Sequence, residues 1–232
     1  QTCALPISTL ATNDTWSLAA NATEVQTVTT AVQAAALTSG STDAVILAEL
    51  APGAYTVDVK GAGGGSGKVL VELYAADNAG TTTFSSVAYQ GTTGGTGAAQ
   101  TVGFVLGGSE TNDVLVRAIG PSLTSGGLAD PRLALFYGTT QIAANDNWDG
   151  LRASSSAFAQ AGALDFAAGS KDSAILLRLG NGAYVTTVSA PTGAASGLVR
   201  TEISLLGSGS VDSLIHTADL DRNGRISLTE LT

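Results

Sequence analysis

The most informative chemical pattern in the chain is a run of oxygen-bearing side chains close to its carboxyl end. Asp219, Asp221 and Asn223 occupy alternate positions, and Gly224 follows where a tight loop would have to bend sharply. Glu230 closes the run with a carboxylate whose two oxygens can bind together. Because Ca²⁺ requires about six to eight oxygen ligands at roughly 2.3–2.6 Å, this spacing predicts a calcium site.

Two further oxygens complete the predicted site. We expect Arg225 to contribute its backbone carbonyl, and Ser227 to act directly or through a water molecule. Bidentate binding by Glu230 favours Ca²⁺ over Mg²⁺, which demands a stricter octahedron. The predicted metal ligands are therefore Asp219, Asp221, Asn223, Arg225, Ser227 and Glu230.

These residues resemble the loop of EF-hand and dockerin-type calcium modules, and the resemblance extends over about residues 211–232. Dockerins carry two such loops, whereas we expect here one truncated loop without its exiting helix. Arg222 and Arg225 also offset part of the negative charge of the carboxylates. We therefore predict weak binding, with a dissociation constant of about 10⁻⁴–10⁻³ M or weaker.

The composition limits the partners and the chemistry to be expected. The chain has 232 residues, of which 12% are charged, and its formal net charge is −9. Nucleic acid and anionic membranes need a basic face, so neither is an expected partner. No apolar run approaches the ~18 residues of a membrane span. One histidine and one cysteine are too few for a catalytic triad or a soft-metal centre, so we expect no enzyme activity.

Three blocks of sequence recur in the same order, about 130 residues apart. A recurrence of this kind predicts a tandem repeat, because chance does not preserve the order of several blocks. The matched blocks are residues 11–16 with 143–148, 43–55 with 172–184, and 66–72 with 196–202.

The repeat suggests a division of the chain into four parts. We expect an incomplete first repeat over residues 8–77, a complete second repeat over 83–206, and a separate calcium segment over 211–232. Residues 1–7 match the in-frame translation of a common sequencing adapter. That match predicts an artefactual start on a fragment of metagenomic origin.

The periodicity within each repeat is mainly that of β-strands. A Gly-Asn-Gly sequence at 180–182 predicts a hairpin between two of the strands, and helical spacing occurs at 23–37 and 155–164. The predicted fold is therefore mainly β: tandem jelly-roll-like β-sandwich repeats, each with one short helix. Apolar runs of strand length occupy residues 44–48, 69–74, 114–119, 133–137, 174–177 and 183–188.

Three motifs of the second repeat resemble the bacterial pre-peptidase C-terminal domain. They are Asp-Pro-Arg-Leu-Ala-Leu at 130–135, Ile-Ala-Ala-Asn-Asp at 142–146 and Gly-Ala-Tyr-Val at 182–185. The resemblance covers roughly residues 128–206, and more loosely 10–74. It implies a sandwich attached to secreted hydrolases, an accessory role such as adhesion or substrate targeting, and a location outside the cell or on its surface.

Two weaker candidate sites remain outside the calcium segment. Residues 145–150 imitate the first half of a calcium loop, but Ser156 stands at the twelfth position, so we favour a structural turn. Trp16 and Trp148 are able to stack on sugars, although their recurrence favours core positions. The preferred function is a calcium-binding structural or adhesive module, whose partner is a polysaccharide or a cell-surface protein. A carbohydrate-binding accessory module and a dockerin-like assembly module are the alternatives.

Overall fold

The computed structural model describes residues 8–65, 67–76, 83–94, 99–108, 111–149, 153 and 155–206. The chain divides into two compact units, Gln1–Thr83 and Phe84–Thr232, called here the N-terminal and C-terminal units. Residues 1–7 and the predicted calcium segment at 211–232 lie outside the described residues. Within the described part of the chain, no helix has the length and apolar content to cross a bilayer.

The C-terminal unit is a sandwich of two four-stranded antiparallel sheets. Its strands, in chain order, are β1 (Ser86–Thr93), β2 (Gln100–Leu106), β3 (Asn112–Ile119), β4 (Arg132–Tyr137), β5 (Thr140–Asn145), β6 (Ser173–Leu179), β7 (Gly182–Ser189) and β8 (Gly197–Leu206). The first sheet has the order β1-β8-β3-β6 and the second has the order β2-β7-β4-β5. The predicted mainly β sandwich is confirmed.

The main core lies between the two sheets and follows the two-residue period of their strands. Alternate residues of β3, including Val114 and Val116, face Leu133 and Leu135 of β4 in one apolar cluster. Tyr184 and other alternate residues of β7 belong to the same cluster. Because successive side chains of a strand point to opposite faces, one set of alternate apolar residues per strand is enough to fill the space between the sheets.

A second apolar cluster covers the outer face of the first sheet. Leu115 and Ile119 of β3 point away from the main core and contact Phe158 and Phe166. Phe158 lies on α2 (Ser155–Gln160), a short helix in the connection between β5 and β6. As a result, β3 is covered on both faces, and seven of its eight residues are buried. β3 is therefore an inner strand of its sheet that is buried on both faces.

Among its described residues, the N-terminal unit has one α-helix, α1 (Ala22–Ala31), and two single helical turns, Trp16–Leu18 and Ala62–Gly64. The sequence predicted a helix as far as residue 37, but α1 ends at residue 31. The threonines of its last two turns donate hydrogen bonds to carbonyls four residues earlier, and Gln33 adopts a left-handed φ of 57°. Both features oppose continuation of the helix.

Two predictions about strands differ from the structure. The segments at 44–48 and 69–74 have strand composition, yet no strand is assigned among the described residues of the N-terminal unit. A strand needs a neighbour for its backbone groups, and composition alone does not provide one. The predicted hairpin at 180–182 is wrong, because β6 pairs with β3 while β7 pairs with β2 and β4. Gly180 and Asn181 instead carry the chain from one sheet to the other.

Candidate functional site

The predicted calcium ligands lie outside the described residues, so the structure neither brings them together nor separates them. This applies to Asp219, Asp221, Asn223, Arg225, Ser227 and Glu230. Over the ranges that the structure does describe, no group of three or more His, Cys, Asp or Glu side chains is placed to hold a metal ion. The calcium site therefore stays a prediction from residue spacing.

The carboxylate of Asp172 is fully buried just before β6 and accepts several hydrogen bonds. Its Oδ1 accepts hydrogen bonds from the backbone nitrogens of Gly120, at 2.8 Å, and Ser122, at 3.3 Å. Its Oδ2 accepts from the hydroxyls of Ser122 and Ser170, each at 2.5 Å. A buried carboxylate is costly unless several donors meet it. Here three of the donated bonds come from the turn after β3 and the fourth comes from Ser170. Asp172 thus fastens that turn to the start of β6.

The segment that imitates half of a calcium loop uses its side chains to bind the backbone. Asn145 Oδ1 accepts a hydrogen bond from the Ala174 nitrogen at 3.1 Å, and Asn145 Nδ2 donates to the Asn147 carbonyl at 3.1 Å. The Trp148 nitrogen donates to the Asp172 carbonyl at 2.7 Å. These bonds tie the end of β5 to the start of β6. Their geometry is that of a structural turn, as the missing twelfth-position carboxylate suggested.

The indole of Trp148 is half-buried in the second apolar cluster rather than displayed on the surface. It stacks on Phe158 with 5.8 Å between ring centroids and meets Phe166 edge-on at 5.9 Å. Its Nε1 donates a hydrogen bond to the Ala153 carbonyl at 2.8 Å. Phe158 covers one face of the indole and the Ala153 carbonyl takes its N–H, so the ring is held as a packing element of this cluster.

Arg117 is a buried cation in the middle of β3 that the sequence analysis did not single out. Its guanidinium lies 4.5 Å from the ring centroid of Phe158 and 4.3 Å from that of Phe166. Nη1 is 3.3 Å from Glu202 Oε2 on β8, and Nη2 donates to the Leu164 carbonyl at 2.7 Å. Burial lowers the pKa of Arg117, and the charge of Glu202 acts in the opposite direction. The feature of the sequence that could have indicated this residue is a single arginine within an otherwise apolar run.

The N-terminal unit repeats the hydrogen bonds of the tryptophan turn. Asn13 Oδ1 accepts from the Val45 nitrogen at 2.9 Å, and Asn13 Nδ2 donates to the Thr15 carbonyl at 3.3 Å. The Trp16 nitrogen donates to the Asp43 carbonyl at 2.8 Å. Each bond has the same donor and acceptor types as its counterpart at Asn145 and Trp148.

Two further bonds also recur at matched positions. The Ser41 hydroxyl donates to Asp43 Oδ2 at 2.7 Å, as Ser170 does to Asp172. The Tyr55 hydroxyl donates to the carbonyl of Ala51 at 2.7 Å, four residues earlier, and the Tyr184 hydroxyl does the same to Gly180 at 2.9 Å. The two units therefore share local contacts as well as sequence.

Comparison with known proteins assigns no family to this chain. No protein-family model matches it, and no curated protein matches it. Among solved structures, it is similar to the pre-peptidase C-terminal domain of collagenase from Bacillus anthracis, at 9% sequence identity and a TM-score of 0.34. The likeness covers 51% of this chain and 88% of that domain. A likeness at this level carries no argument. The assignment of a sandwich rests instead on the strands of this chain and their pairing.

Proposed function

We propose that the chain is a calcium-binding, non-catalytic structural or adhesive module of a secreted multidomain protein. The observation that carries this proposal is the spacing of oxygen donors from Asp219 to Glu230. Extracellular modules bind calcium in the range of about 10⁻⁴–10⁻³ M, which suits a single loop whose charge is partly offset by arginine. An extracellular or cell-surface location follows from the same argument, because calcium at that concentration is found outside cells.

The C-terminal unit supports a structural role, since several of its buried polar groups hold strands and turns together. Asp172 binds the turn after β3, and Arg117 binds Glu202 on the neighbouring strand. A catalytic site would instead direct such groups toward a cleft. Within the described residues, the buried charged side chains Asp113, Arg117 and Asp172 bind neighbouring strands or turns.

We further propose that the two units are copies of one sandwich design, with the second copy complete. The recurrence of the asparagine, tryptophan, serine and tyrosine hydrogen bonds supports this interpretation. Repeated non-catalytic modules in secreted proteins extend a surface or space other domains. The carbohydrate-binding alternative is weakened by the covered rings of Trp148. The dockerin-like alternative requires a second calcium loop in the parent protein.

Calorimetric titration of the full chain with CaCl₂, after removal of metal by chelation, tests the calcium proposal. We expect saturation with a dissociation constant of about 10⁻⁴–10⁻³ M or weaker, and no detectable binding by Glu230→Gln, which removes the bidentate ligand. Asp146→Asn is the matched control, because Asp146 is an exposed acid of the other loop-like segment and pairs with Arg132 at 3.5 Å. Absence of heat in several millimolar calcium, or equal binding by Glu230→Gln, would refute the site.

A further inference from the structure

The connection between β6 and β7 contains an Asn181-Gly182 dipeptide, at the point where the chain passes from the first sheet to the second. The side chain of Asn181 is exposed, and it makes no hydrogen bond among the residues that the structure describes. Gly182 follows with a φ of 150°, a conformation that residues with a side chain rarely adopt. An unrestrained amide side chain is therefore followed by a peptide nitrogen that has no Cβ beside it.

These two groups are able to react with each other without a catalyst. The Gly182 nitrogen attacks Cγ of Asn181 and closes a succinimide ring. The Cγ–Nδ2 bond breaks, and ammonia leaves with the proton of the Gly182 nitrogen. Water then opens the ring at either carbonyl, which gives aspartate or isoaspartate. The net reaction consumes water and releases ammonia, and the attack is favoured because both groups belong to adjacent residues.

The dipeptide lies at the end of a strand ladder. Gly182 forms the last pair of the β2–β7 ladder, opposite Leu106. Opening at the end of a ladder costs less free energy than opening in its interior. The Tyr184 hydroxyl donates a hydrogen bond to the Gly180 carbonyl at 2.9 Å and so holds the residue before Asn181 in place. This bond opposes the backbone rotation that ring closure requires.

Asn145 shows the opposite arrangement at the end of β5. It is buried, its Oδ1 accepts a hydrogen bond from the Ala174 nitrogen, and its Nδ2 donates to the Asn147 carbonyl. Because this amide is held on both sides, its Cγ cannot turn toward the nitrogen of the next residue. In the N-terminal unit, Pro52 stands at the position that matches Asn181 and has no amide side chain. Of the two matched turns, only the one in the C-terminal unit carries this chemistry.

We propose that Asn181 is a site of spontaneous deamidation in the folded chain, and that the Tyr184 hydrogen bond slows the reaction. The product adds a negative charge to the connection between the sheets. Isoaspartate also adds a methylene to the backbone next to Gly182, where a Cβ would lie only 2.7 Å from Cε2 of Tyr137. The modification therefore changes one end of the sandwich as the protein ages. This inference depends neither on the calcium site nor on the proposed function.

Peptide mapping by mass spectrometry tests the proposal on the full chain, incubated in mildly alkaline buffer with EDTA and sampled over time. Trypsin releases residues 179–200, in which Asn181 is the only Asn or Gln, so a mass gain there belongs to this residue. Methylation by an isoaspartyl methyltransferase identifies the isoaspartate product. We expect Asn181 in the folded chain to convert within about tenfold of its rate in urea. Asn145, localised by fragment ions, should convert at least about a hundredfold more slowly in the folded chain than in urea.

Two variants make the test specific. Asn181→Gln should abolish the mass gain, because a glutamine would have to close a larger ring. Asn181 is exposed, so this replacement leaves the fold intact, which circular dichroism verifies. Tyr184→Phe should accelerate conversion of Asn181 by about twofold to tenfold and leave Asn145 unchanged. The other Asn-Gly sequence, at 223–224, falls in a different tryptic peptide and is read separately.

Two results would overturn the proposal. If the peptide 179–200 keeps its mass in the folded chain while it converts in urea, the folded connection protects Asn181 and the site is refuted. If Tyr184→Phe leaves the rate unchanged, or accelerates Asn181 and Asn145 alike, the hydrogen bond does not control the reaction, because equal acceleration reports unfolding of the whole unit.

Discussion

Residues 43–74 and residues 172–204 have similar sequences and different surroundings. In the C-terminal unit the second of these regions forms β6, β7 and most of β8, whose inner faces are buried. In the N-terminal unit the first region exposes the same alternating apolar residues and has no assigned strand among its described residues. The turn that contains Tyr55 or Tyr184 is nevertheless closed by the same hydrogen bond in both regions, from the phenol to the carbonyl four residues earlier. Short-range contacts are therefore determined within each region, whereas strand formation depends on a distant partner.

The largest expected effect comes from truncating the same isoleucine in the two regions. Ile175→Ala should lower the free energy of unfolding of the C-terminal unit by about 2–5 kcal/mol, because it leaves a cavity between the sheets. Ile46→Ala should change the N-terminal unit by less than about 0.5 kcal/mol, because the side chain is half in water already. Urea denaturation followed by tryptophan fluorescence measures both.

Two background variants separate the units in this experiment. Trp16→Phe leaves Trp148 to report on the C-terminal unit, and Trp148→Phe leaves Trp16 to report on the N-terminal unit. Equal losses at Ile46 and Ile175 would contradict the comparison, because they would show that the first region is buried in solution.

The next effect concerns the matched aspartates. Asp172→Ala should destabilise the C-terminal unit by about 2–3 kcal/mol, since it leaves the buried Gly120 nitrogen and two serine hydroxyls without their acceptor. Asp43→Ala removes one bond from Ser41 on the surface and should cost less than about 1 kcal/mol. The same denaturation assay measures the loss of stability in both variants. A small effect at Asp172 would mean that water replaces the carboxylate.

Much of the fold could be predicted from local pattern. The apolar runs predicted β3, β4, β6 and β7 because strand length, alternation and glycine or proline boundaries are encoded within a few residues. The pairing partners of those strands could not be predicted, since pairing joins residues that lie far apart in the chain. The turn at Gly180 and Asn181 shows this limit: its composition suits a hairpin, yet the flanking strands belong to different sheets.

The same distinction applies to the sites. The predicted calcium ligands occupy one continuous segment, so their spacing alone carries that prediction. Arg117 is different, because its role comes from Phe158 and Phe166 in the β5–β6 connection and from Glu202 on β8, which are two distant parts of the chain. Its position within an apolar run was visible, but nothing near it in the sequence indicated what would surround it.

The smallest expected effect sharpens the comparison at the matched tyrosines. Tyr184 is buried beside Tyr137, and burial first, then the charge of Tyr137, raises the pKa of Tyr184 above its usual value of 10.0. Tyr184→Phe should cost about 0.5–1.5 kcal/mol, because the phenol loses its bond to the Gly180 carbonyl. Tyr55→Phe is the control and should cost less, since that phenol and its bond to Ala51 are exposed.

The pH dependence of these variants gives a second reading of the same difference. A raised pKa means that the folded state favours the neutral phenol of Tyr184. This contribution is fully present below the unfolded pKa of about 10 and is lost as the pH rises through the folded pKa. Stability of the wild-type C-terminal unit should therefore fall more steeply above pH 10 than that of Tyr184→Phe, as measured by urea denaturation at pH 8 and at pH 10–11. Parallel curves would show that the Tyr184 hydroxyl is as accessible to water as it is in the unfolded chain.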